Sequence, residues 1–387
     1  MALNPVIALL GRRLRLAVIG GGEGSFIGAM HRQAARTDDR YEIVAAALSS
    51  DPARSQAAGR QLGLPAERSY ASGSALIRAE SAHASGADVI AIMTPNDSHF
   101  ALSMEALDHG LHVICDKPLT NSAAEAAQIV ERARARERVF CLTHNYTGYP
   151  MVRQARAMVA EGLTGPIRLV QVEYVQGGRA RPGPGRRLWK EDPVRGGPSL
   201  VMGDIGTHAH NLLRFITGLE VAQVAAEIGA IVPERITHDF AGALLRLSNG
   251  ARGSFWVTQA AAGVENALRI RVSGAQGTLE WQQEHPQVLH WRPLDGPAQV
   301  RTPNGQGTLP LAARASRIVA GHPEGFPEAF ANLYADAAEA IAARIAGTAP
   351  DPLALHFPTA EDGLQGLRFV EAVVRSSAEN GRWVDCG

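Results

Sequence analysis

The sequence has little of what marks several large classes of protein. Its three cysteines, Cys115, Cys141 and Cys386, are too few and too scattered for a disulfide framework or a zinc knuckle, and they suit a reducing cytoplasm. Lysine plus arginine equals aspartate plus glutamate at 38 each, so no net charge attracts nucleic acid or an anionic membrane. No apolar run reaches the length of a membrane span. These absences leave a small molecule as the expected partner and the cytoplasm as the expected location.

The N-terminus and the length of the chain set its expected organisation. Residues 1–10 are mildly apolar, but the positive charges of Arg12, Arg13 and Arg15 follow this run, whereas in a signal peptide they precede it. We therefore interpret the segment as a short N-terminal extension. At 387 residues the chain is long enough for two domains.

The first part of the chain alternates short β-branched runs with helical runs. This alternation is typical of βαβ units and predicts a mostly parallel sheet of the dinucleotide-binding (Rossmann) kind. The expected strands are residues 14–19, 42–48, 87–93, 112–115 and 139–142, and the expected helices are 52–62, 99–109 and 122–136.

The second part has longer alternating runs and more loop. Helices are expected at 151–161, 199–217, 327–346 and 359–380, and strands include 167–175, 243–247, 253–258 and 268–273. Residues 177–197 are rich in glycine, proline and arginine, which is typical of a loop over a site, and residues 293–325 are also expected to be loop-rich. The pattern predicts an α+β domain with an open, mixed or antiparallel sheet.

A glycine-rich turn, residues 20–28, joins the first strand to the first helix. Glycines suit this position because a side chain would keep the backbone from a pyrophosphate, whose charge a helix N-terminus favours. The spacing departs from G-x-G-x-x-G, since two extra residues precede Gly28. A plain strand-to-helix turn is the alternative, but the surrounding βαβ pattern favours a dinucleotide site.

The end of the second strand is where the 2′ position of such a cofactor is read. An acidic residue there favours NAD and a following arginine favours NADP, and this chain has Ser49 and Ser50, with Arg54 further on. Asp51 is expected to cap the following helix. The residues indicate modest discrimination, with NAD expected and NADP possible.

Two further segments carry candidate catalytic residues. Asp116, Lys117 and Pro118 follow a strand at its carboxyl end, where ligands bind in a parallel sheet, although a solvated lysine is the plainer interpretation. Asp204 and His208 are four residues apart at the start of a helix, and a histidine with a nearby carboxylate suits proton transfer at neutral pH. Alternatively, Asp204 is an N-cap and His208 a structural polar residue.

Together these segments resemble the Gfo/Idh/MocA family of glucose–fructose oxidoreductases and inositol dehydrogenases. The resemblance covers nearly the whole chain and is carried, in order, by residues 28–31, 94–96 with His99, 116–118 and 203–208. It implies a Rossmann domain over residues 1–145 and an α+β domain over residues 146–387. The open, mostly antiparallel sheet of that second domain often builds homodimers or homotetramers.

The resemblance also implies roles for individual residues. Lys117, Asp204 and His208 would surround the reacting hydroxyl of a cyclitol or pyranose sugar, with no metal. The expected cofactor-binding residues are Gly20, Gly22, Gly24, Ser25, Phe26, Ile27, Ser49, Ser50, Arg54, Thr94, Pro95, Asn96, His99, Asp116, Lys117 and Asn145. The expected substrate-binding residues are Lys117, Asn145, Trp189, Lys190, Asp204, His208 and His322.

The segments around Trp189 and His322 most resemble a branch that includes scyllo-inositol dehydrogenases. Three departures from the family pattern bear on the cofactor: the longer glycine turn, Asp116 in place of glutamate, and the missing acidic residue at Ser49. An uncharged six-membered ring is the expected substrate, although the arginines of the loop, Arg179, Arg181, Arg186 and Arg187, could instead bind a phosphate.

In the oxidative direction, His208 is expected to accept the hydroxyl proton, with Asp204 orienting its ring and Lys117 donating to the same oxygen. The roles of His208 and Lys117 as the ultimate base could be exchanged. The alternatives are a metal hydrolase using His144, Asp204, His208 and His210, a non-catalytic nicotinamide-binding protein, and a cofactor-retaining epimerase or glycoside hydrolase on the same fold.

Overall fold

The computed structural model describes residues 3–182 and 189–387. The helices in these ranges are α1 (Pro5–Leu10), α2 (Phe26–Thr37), α3 (Pro52–Gln61), α4 (Gly73–Ala82), α5 (His99–Asp108), α6 (Ala123–Ala135), α7 (Pro150–Ala160), α8 (Pro193–Gly196), α9 (Thr207–Thr217), α10 (Pro310–Arg314), α11 (Phe326–Ala346) and α12 (Ala360–Ala378). The strands are β1 (Leu14–Gly20), β2 (Tyr41–Ala47), β3 (Val89–Met93), β4 (His112–Cys115), β5 (Phe140–Leu142), β6 (Ile167–Val175), β7 (Val221–Gly229), β8 (Phe240–Leu247), β9 (Arg252–Thr258), β10 (Ala267–Gly274), β11 (Gly277–Gln282), β12 (Leu289–Pro293), β13 (Gln299–Arg301) and β14 (Val384–Asp385). None of the helices in these ranges is long and apolar enough to cross a membrane.

The described residues fall into two compact units. The first contains the chain up to Thr120, Ala124–Asn145 and Phe330–Leu364, and the second contains Asn121–Ala123, Tyr146–Ala329 and Gln365–Gly387. The domain limit predicted between residues 145 and 146 is also a limit of these units. Residues 330–364 differ from the prediction, because they were expected in the second domain and pack with the first.

The first unit is built on a parallel sheet, which confirms the Rossmann prediction. Its strand order is β2-β1-β3-β4-β5, and each neighbouring pair is parallel. All five residues of β3 are buried, as expected for a strand with helices on both faces of its sheet. Within the segment interpreted as an N-terminal extension, residues Pro5–Leu10 form helix α1. Its Asn4 cap accepts hydrogen bonds from the backbone of Val6 and Ile7, with proline at the first helical position.

Tyr334 in helix α11 explains why residues 330–364 belong to the first unit. Its hydroxyl lies 2.7 Å from Nδ1 of His31 in helix α2, and Tyr41 of strand β2 donates to its backbone oxygen at 2.8 Å. All three side chains are buried. Burial of aromatic area with satisfied polar tips fastens this stretch to the parallel sheet.

The second unit contains an open, mostly antiparallel sheet, as predicted. The strand order is β13-β12-β11-β10-β6-β9-β8-β7-β14, and β6 pairs with β9 in parallel while the other neighbours are antiparallel. One face of this sheet packs on α9 and α12, where Phe255 and Phe369 meet edge to face. The other face leaves Leu169, Leu244 and Trp256 about half exposed or more. The region expected to be loop-rich, residues 293–325, also contains β13 and α10.

Candidate active site

The glycine turn after β1 has the geometry that a close approach to a phosphate needs. Gly20 and Gly21 have φ angles of 82° and 66°, a region that residues with a side chain rarely adopt. Ser25 caps helix α2, and its hydroxyl accepts from the backbone nitrogen of Gly28 at 3.1 Å. A Cβ on Gly28 would stand 2.1 Å from the Gly21 oxygen. Gly28 is therefore the glycine that lets the helix pack on the strand, in spite of the longer spacing.

The end of β2 confirms the capping role expected of Asp51. Its carboxylate accepts from the backbone nitrogen of Arg54 at 2.9 Å, and the hydroxyl of Ser49 accepts from the nitrogen of Asp51 at 3.1 Å. Ser50 is exposed, and so is Arg54 in helix α3. Since Asp51 is engaged in the cap, serine hydroxyls are the groups that this strand end offers to a ribose.

The segment after β3 is organised around the buried ring of His99. Its Nδ1 lies 2.8 Å from the Pro118 oxygen and its Nε2 lies 2.9 Å from the Thr94 oxygen. The hydroxyl of Ser98 donates to that of Thr94 at 2.6 Å. These contacts hold Thr94, Pro95 and Asn96, which follow β3, beside the segment that follows β4. The structure thus brings these predicted residues together at the carboxyl edge of the sheet.

Asp116 and Lys117 follow strand β4 at the same edge. The hydroxyl of Thr143 donates to Asp116 at 3.0 Å, and Nε2 of His31 lies 4.0 Å from that carboxylate oxygen. Burial raises the pKa of the Asp116 carboxyl, but the adjacent His31 ring and the charges of Lys117 and His99 outweigh burial and hold this pKa below its usual value. Asp116 therefore supplies a negative charge beside Lys117, whose peptide bond to Pro118 is cis.

Asn145, after β5, carries a buried polar group that is available to a ligand. Its side chain is 3% exposed, and its Nδ2 has no hydrogen-bond partner among the residues that the structure describes. A buried amide without an acceptor costs free energy unless something else satisfies it. The glycine turn, the segment from Thr94 to His99 and the Asn145 amide all follow carboxyl ends of strands in the parallel sheet. A dinucleotide bound there would supply an acceptor for the Asn145 nitrogen.

In the second unit, Asp204 and His208 flank the junction between a π-helical turn and an α-helix. Residues Met202–Gly206 form the π turn, and α9 follows directly at Thr207. The alternative that Asp204 is an N-cap is wrong, because the helical backbone already begins before it, and π turns of this kind occur often at functional sites. The His208 ring contacts that of Tyr146 edge to face, with centroids 4.8 Å apart. His210 points elsewhere, as expected, and stacks on Phe369.

A chain of uncharged polar side chains, which no sequence motif indicated, extends from Asp204. Gln259 donates to the Asp204 carboxylate at 2.7 Å and to the Gln176 amide oxygen at 3.2 Å. Gln176 in turn donates to Asn266 at 2.7 Å, and the Tyr174 hydroxyl donates to the same oxygen at 2.8 Å. We call Gln259, Gln176, Asn266, Tyr174 and Tyr146 the amide–phenol cluster.

The cluster is assembled by strand pairing. Gln176 follows β6, Gln259 follows β9 and Asn266 precedes β10, and β10, β6 and β9 are neighbours in the sheet. Burial, with the charges of Tyr146 and Asp204, raises the pKa of Tyr174 well above its usual value, so its hydroxyl keeps its proton and donates. Polar residues at the ends of β-runs were the available signal in the sequence, but their pairing was not readable from it.

Trp189 and His322, which are predicted to bind substrate, are more exposed than Asp204 and His208. Trp189 is 37% exposed, and His322 is exposed in the segment between α10 and α11. The structure does not describe Arg186, Arg187 or the side chain of Lys190. Arg179 donates to Glu191, which also lies 3.9 Å from Arg235.

Comparisons with known proteins give the family of this chain. Residues 14–144 match the model of an oxidoreductase family with an NAD-binding Rossmann fold, and residues 152–280 match the Gfo/Idh/MocA C-terminal domain. An uncharacterized oxidoreductase of Bacillus subtilis is 32% identical over 386 residues, covering 97% of this chain and 98% of that protein. The chain belongs to the Gfo/Idh/MocA family.

Two solved structures extend this result along the full length of this Gfo/Idh/MocA protein. An oxidoreductase from Sinorhizobium meliloti is 45% identical with a TM-score of 0.88, covering 96% of this chain and 99% of that one. An inositol dehydrogenase homologue from Azotobacter vinelandii, solved with NADH and myo-inositol, is 35% identical with a TM-score of 0.89, covering 99% and 100%. This family member is an NAD(P)-dependent oxidoreductase, and its first domain binds NAD.

Proposed function

We propose that this oxidoreductase reversibly oxidises a secondary hydroxyl of an uncharged six-membered ring, a cyclitol or pyranose sugar, to the ketone. The observation that carries the proposal is the amide–phenol cluster joined to Asp204. Amides and phenols both donate and accept hydrogen bonds without carrying charge, which suits a ligand with many hydroxyls. The similarity to an inositol dehydrogenase homologue solved with myo-inositol supports the same substrate class.

The side chains of this chain divide the proton chemistry between them. Bound NAD supplies the acceptor for the hydride. His208 takes the hydroxyl proton, Asp204 stabilises the positive charge that then forms on the imidazole, and Lys117 donates to the substrate oxygen. In this proposal Thr94, Pro95, Asn96, His99, Asp116 and Asn145 hold the nicotinamide end of the cofactor, and the turn from Gly20 to Ile27 holds its pyrophosphate.

The charges near the loop favour an uncharged substrate over a phosphorylated one. Among the described arginines of this loop, Arg179 is paired with Glu191, whose side chain is 11% exposed. A carboxylate at this place would repel a phosphate and compete for the same guanidinium. We propose that Trp189, Lys190 and His322 contact ring hydroxyls or the apolar face of the ring.

A substrate panel tests the proposal. Inositols, pyranoses, open-chain polyols and glucose 6-phosphate are offered at equal concentration with NAD and with NADP, and reduced cofactor is followed by its absorbance. We expect an inositol or a pyranose to be the best substrate. If glucose 6-phosphate were best by a wide margin, the substrate assignment would be wrong. Elemental analysis of the same preparation tests the metal-hydrolase alternative.

We also propose that the chain forms a homodimer or homotetramer through the open face of its second sheet. Leu169, Leu244 and Trp256 on that face are 54%, 60% and 49% exposed. Light scattering coupled to size-exclusion chromatography measures the oligomer, and Trp256→Glu would shift it towards the monomer.

A further inference from the structure

Gln259 differs from the rest of the amide–phenol cluster, because its amide nitrogen is hydrogen-bonded while its amide oxygen has no donor among the described residues. Its Nε2 donates both to the Asp204 carboxylate and to the Gln176 oxygen. Both partners accept at these contacts. A carboxylate oxygen can only accept, and the Gln176 side chain donates to Asn266 through its nitrogen, so its oxygen is the atom that faces Gln259. The amide of Gln259 is therefore oriented, and flipping it would set oxygen against oxygen.

This orientation leaves Oε1 of Gln259 without a donor. The side chain is 4% exposed, and Oε1 is buried with no hydrogen-bond partner among the described residues. A buried carbonyl oxygen without a donor costs about 1–3 kcal/mol. Such groups are rare in native proteins and occur where a ligand or an ordered water completes them.

The surroundings of Gln259 place this acceptor beside the carboxylate of Asp204 and the start of the loop over residues 177–197. Its Nε2 is 2.7 Å from the carboxylate that the proposed chemistry uses, and its backbone oxygen accepts from the nitrogen of Arg179 at 3.0 Å, at the start of the substrate loop. Within one amide the oxygen and nitrogen are about 2.3 Å apart, so Oε1 lies close to the Asp204 carboxylate, which in the proposed function supports His208.

We propose that Gln259 determines substrate specificity by accepting, at Oε1, a hydrogen bond from a ring hydroxyl next to the carbon that is oxidised. This inference rests on the proposed function for its substrate class. It predicts a strict requirement for that one hydroxyl, because a site built to bind a hydroxyl rejects the analogue that lacks it. A water molecule satisfying Oε1 is the competing explanation, and it predicts no such requirement.

The test compares three variants on a parent substrate and its set of mono-deoxy analogues. Gln259→Met keeps the volume of the side chain and removes both amide functions. Gln259→Glu keeps an acceptor oxygen but loses the donor to Asp204. Gln128→Met is the matched control, because Gln128 is exposed on α6, where its amide nitrogen donates to the backbone oxygen of Ala124. Circular dichroism and NADH binding establish that each variant is folded.

For the wild type and the control we expect one deoxy analogue, other than the one at the reacting carbon, to lose about a hundredfold in kcat/KM, the factor that corresponds to an unpaired buried acceptor. Gln259→Met should lose a similar factor on the parent substrate, and should then treat the parent and that analogue alike within about threefold. Gln259→Glu should retain the penalty for that analogue. If Gln259→Met retained the full penalty at every position, the hydroxyl would not bind Oε1 and the inference would be wrong.

A binding measurement separates this inference from the proposed function. Thermal shift of the NADH complex records the affinity for the same panel without turnover. If the wild type oxidised no ring but bound one, with a hydroxyl requirement that Gln259→Met abolished, the inference would stand and the proposed reaction would fail. If no hydroxylated ring bound, both would fail.

Discussion

The buried ring of His99 lies 2.8 Å from the backbone oxygen of Pro118 through Nδ1, and through Nε2 it lies 2.9 Å from that of Thr94. One side chain thereby joins the segments that follow two neighbouring parallel strands, β3 and β4. Carbonyl oxygens only accept, so a protonated ring nitrogen donates to the oxygen that it faces. This contact joins the backbone directly after Lys117 to the start of the Thr94–Asn96 segment.

Replacing His99 by leucine tests the importance of that contact. The substitution removes the ring nitrogens that face these two carbonyl oxygens and the packing of the ring, and we expect it to lower the free energy of unfolding by about 3 kcal/mol. Urea unfolding followed by circular dichroism measures the change. His109→Leu is the matched control, because His109 is exposed at the end of α5 and should change stability by less than about 0.5 kcal/mol. Equal effects of the two substitutions would contradict the prediction.

Replacing the proposed proton-transfer residues should separate turnover from cofactor binding. We expect His208→Ala and Lys117→Ala each to lower kcat by about 10²- to 10⁴-fold, because both act on the substrate oxygen in the proposed mechanism. NADH affinity, measured by fluorescence titration, should stay within about threefold for His208→Ala. Loss of NADH binding with turnover of the residual complex intact would show that His208 holds the cofactor.

Replacing Ser49 by aspartate should sharpen the choice of cofactor. A carboxylate at this strand end accepts from ribose hydroxyls and repels a 2′-phosphate, so the ratio of NADPH to NADH dissociation constants should rise at least about tenfold. Ser85→Asp, on an exposed loop of the same unit, controls for the added charge. For the unmodified chain we expect only modest discrimination, and a preference for NADP above about a hundredfold would point to a cation at the 2′-phosphate.

The stability of the first unit should depend on pH through His112. The backbone of Val139 donates to its Nδ1 at 2.9 Å, and burial lowers the pKa of His112 to about 3. The unfolded chain takes up a proton below about pH 6.5, whereas the folded chain does so only near pH 3, so stability is lost as the pH falls through this window.

His112→Asn removes this titration and can still accept from Val139. Between pH 6 and pH 4, the free energy of unfolding of the wild type should therefore fall faster than that of the variant, by up to about 1.4 kcal/mol per pH unit. Denaturant unfolding at several pH values supplies the slopes, and the exposed His109→Asn serves as the control. Parallel slopes for wild type and His112→Asn would show that His112 takes up its proton equally in both states.

Local pattern determined the first sheet and the class of chemistry. A parallel sheet with a dinucleotide turn was predicted from the alternation of apolar strands with helices and from the glycines between residues 20 and 28. Both signals are local, because hydrophobic periodicity and the need for glycine at positive φ angles depend on residues that are close in the sequence. The cap at Asp51 was predictable for the same reason. The family motifs, read in order along the chain, then indicated an oxidoreductase.

Only the tertiary structure decided which distant residues share a site or a core. Gln176, Gln259 and Asn266 meet because β10, β6 and β9 are neighbours in the sheet, and no local pattern specifies that pairing. Tyr334 joins the first unit through His31 and Tyr41, more than 290 positions away along the chain. The π turn at Asp204 likewise has no sequence signature in this chain. Strand pairing and side-chain burial are settled by the whole chain at once, because each buried polar group must find its partner wherever the fold brings one.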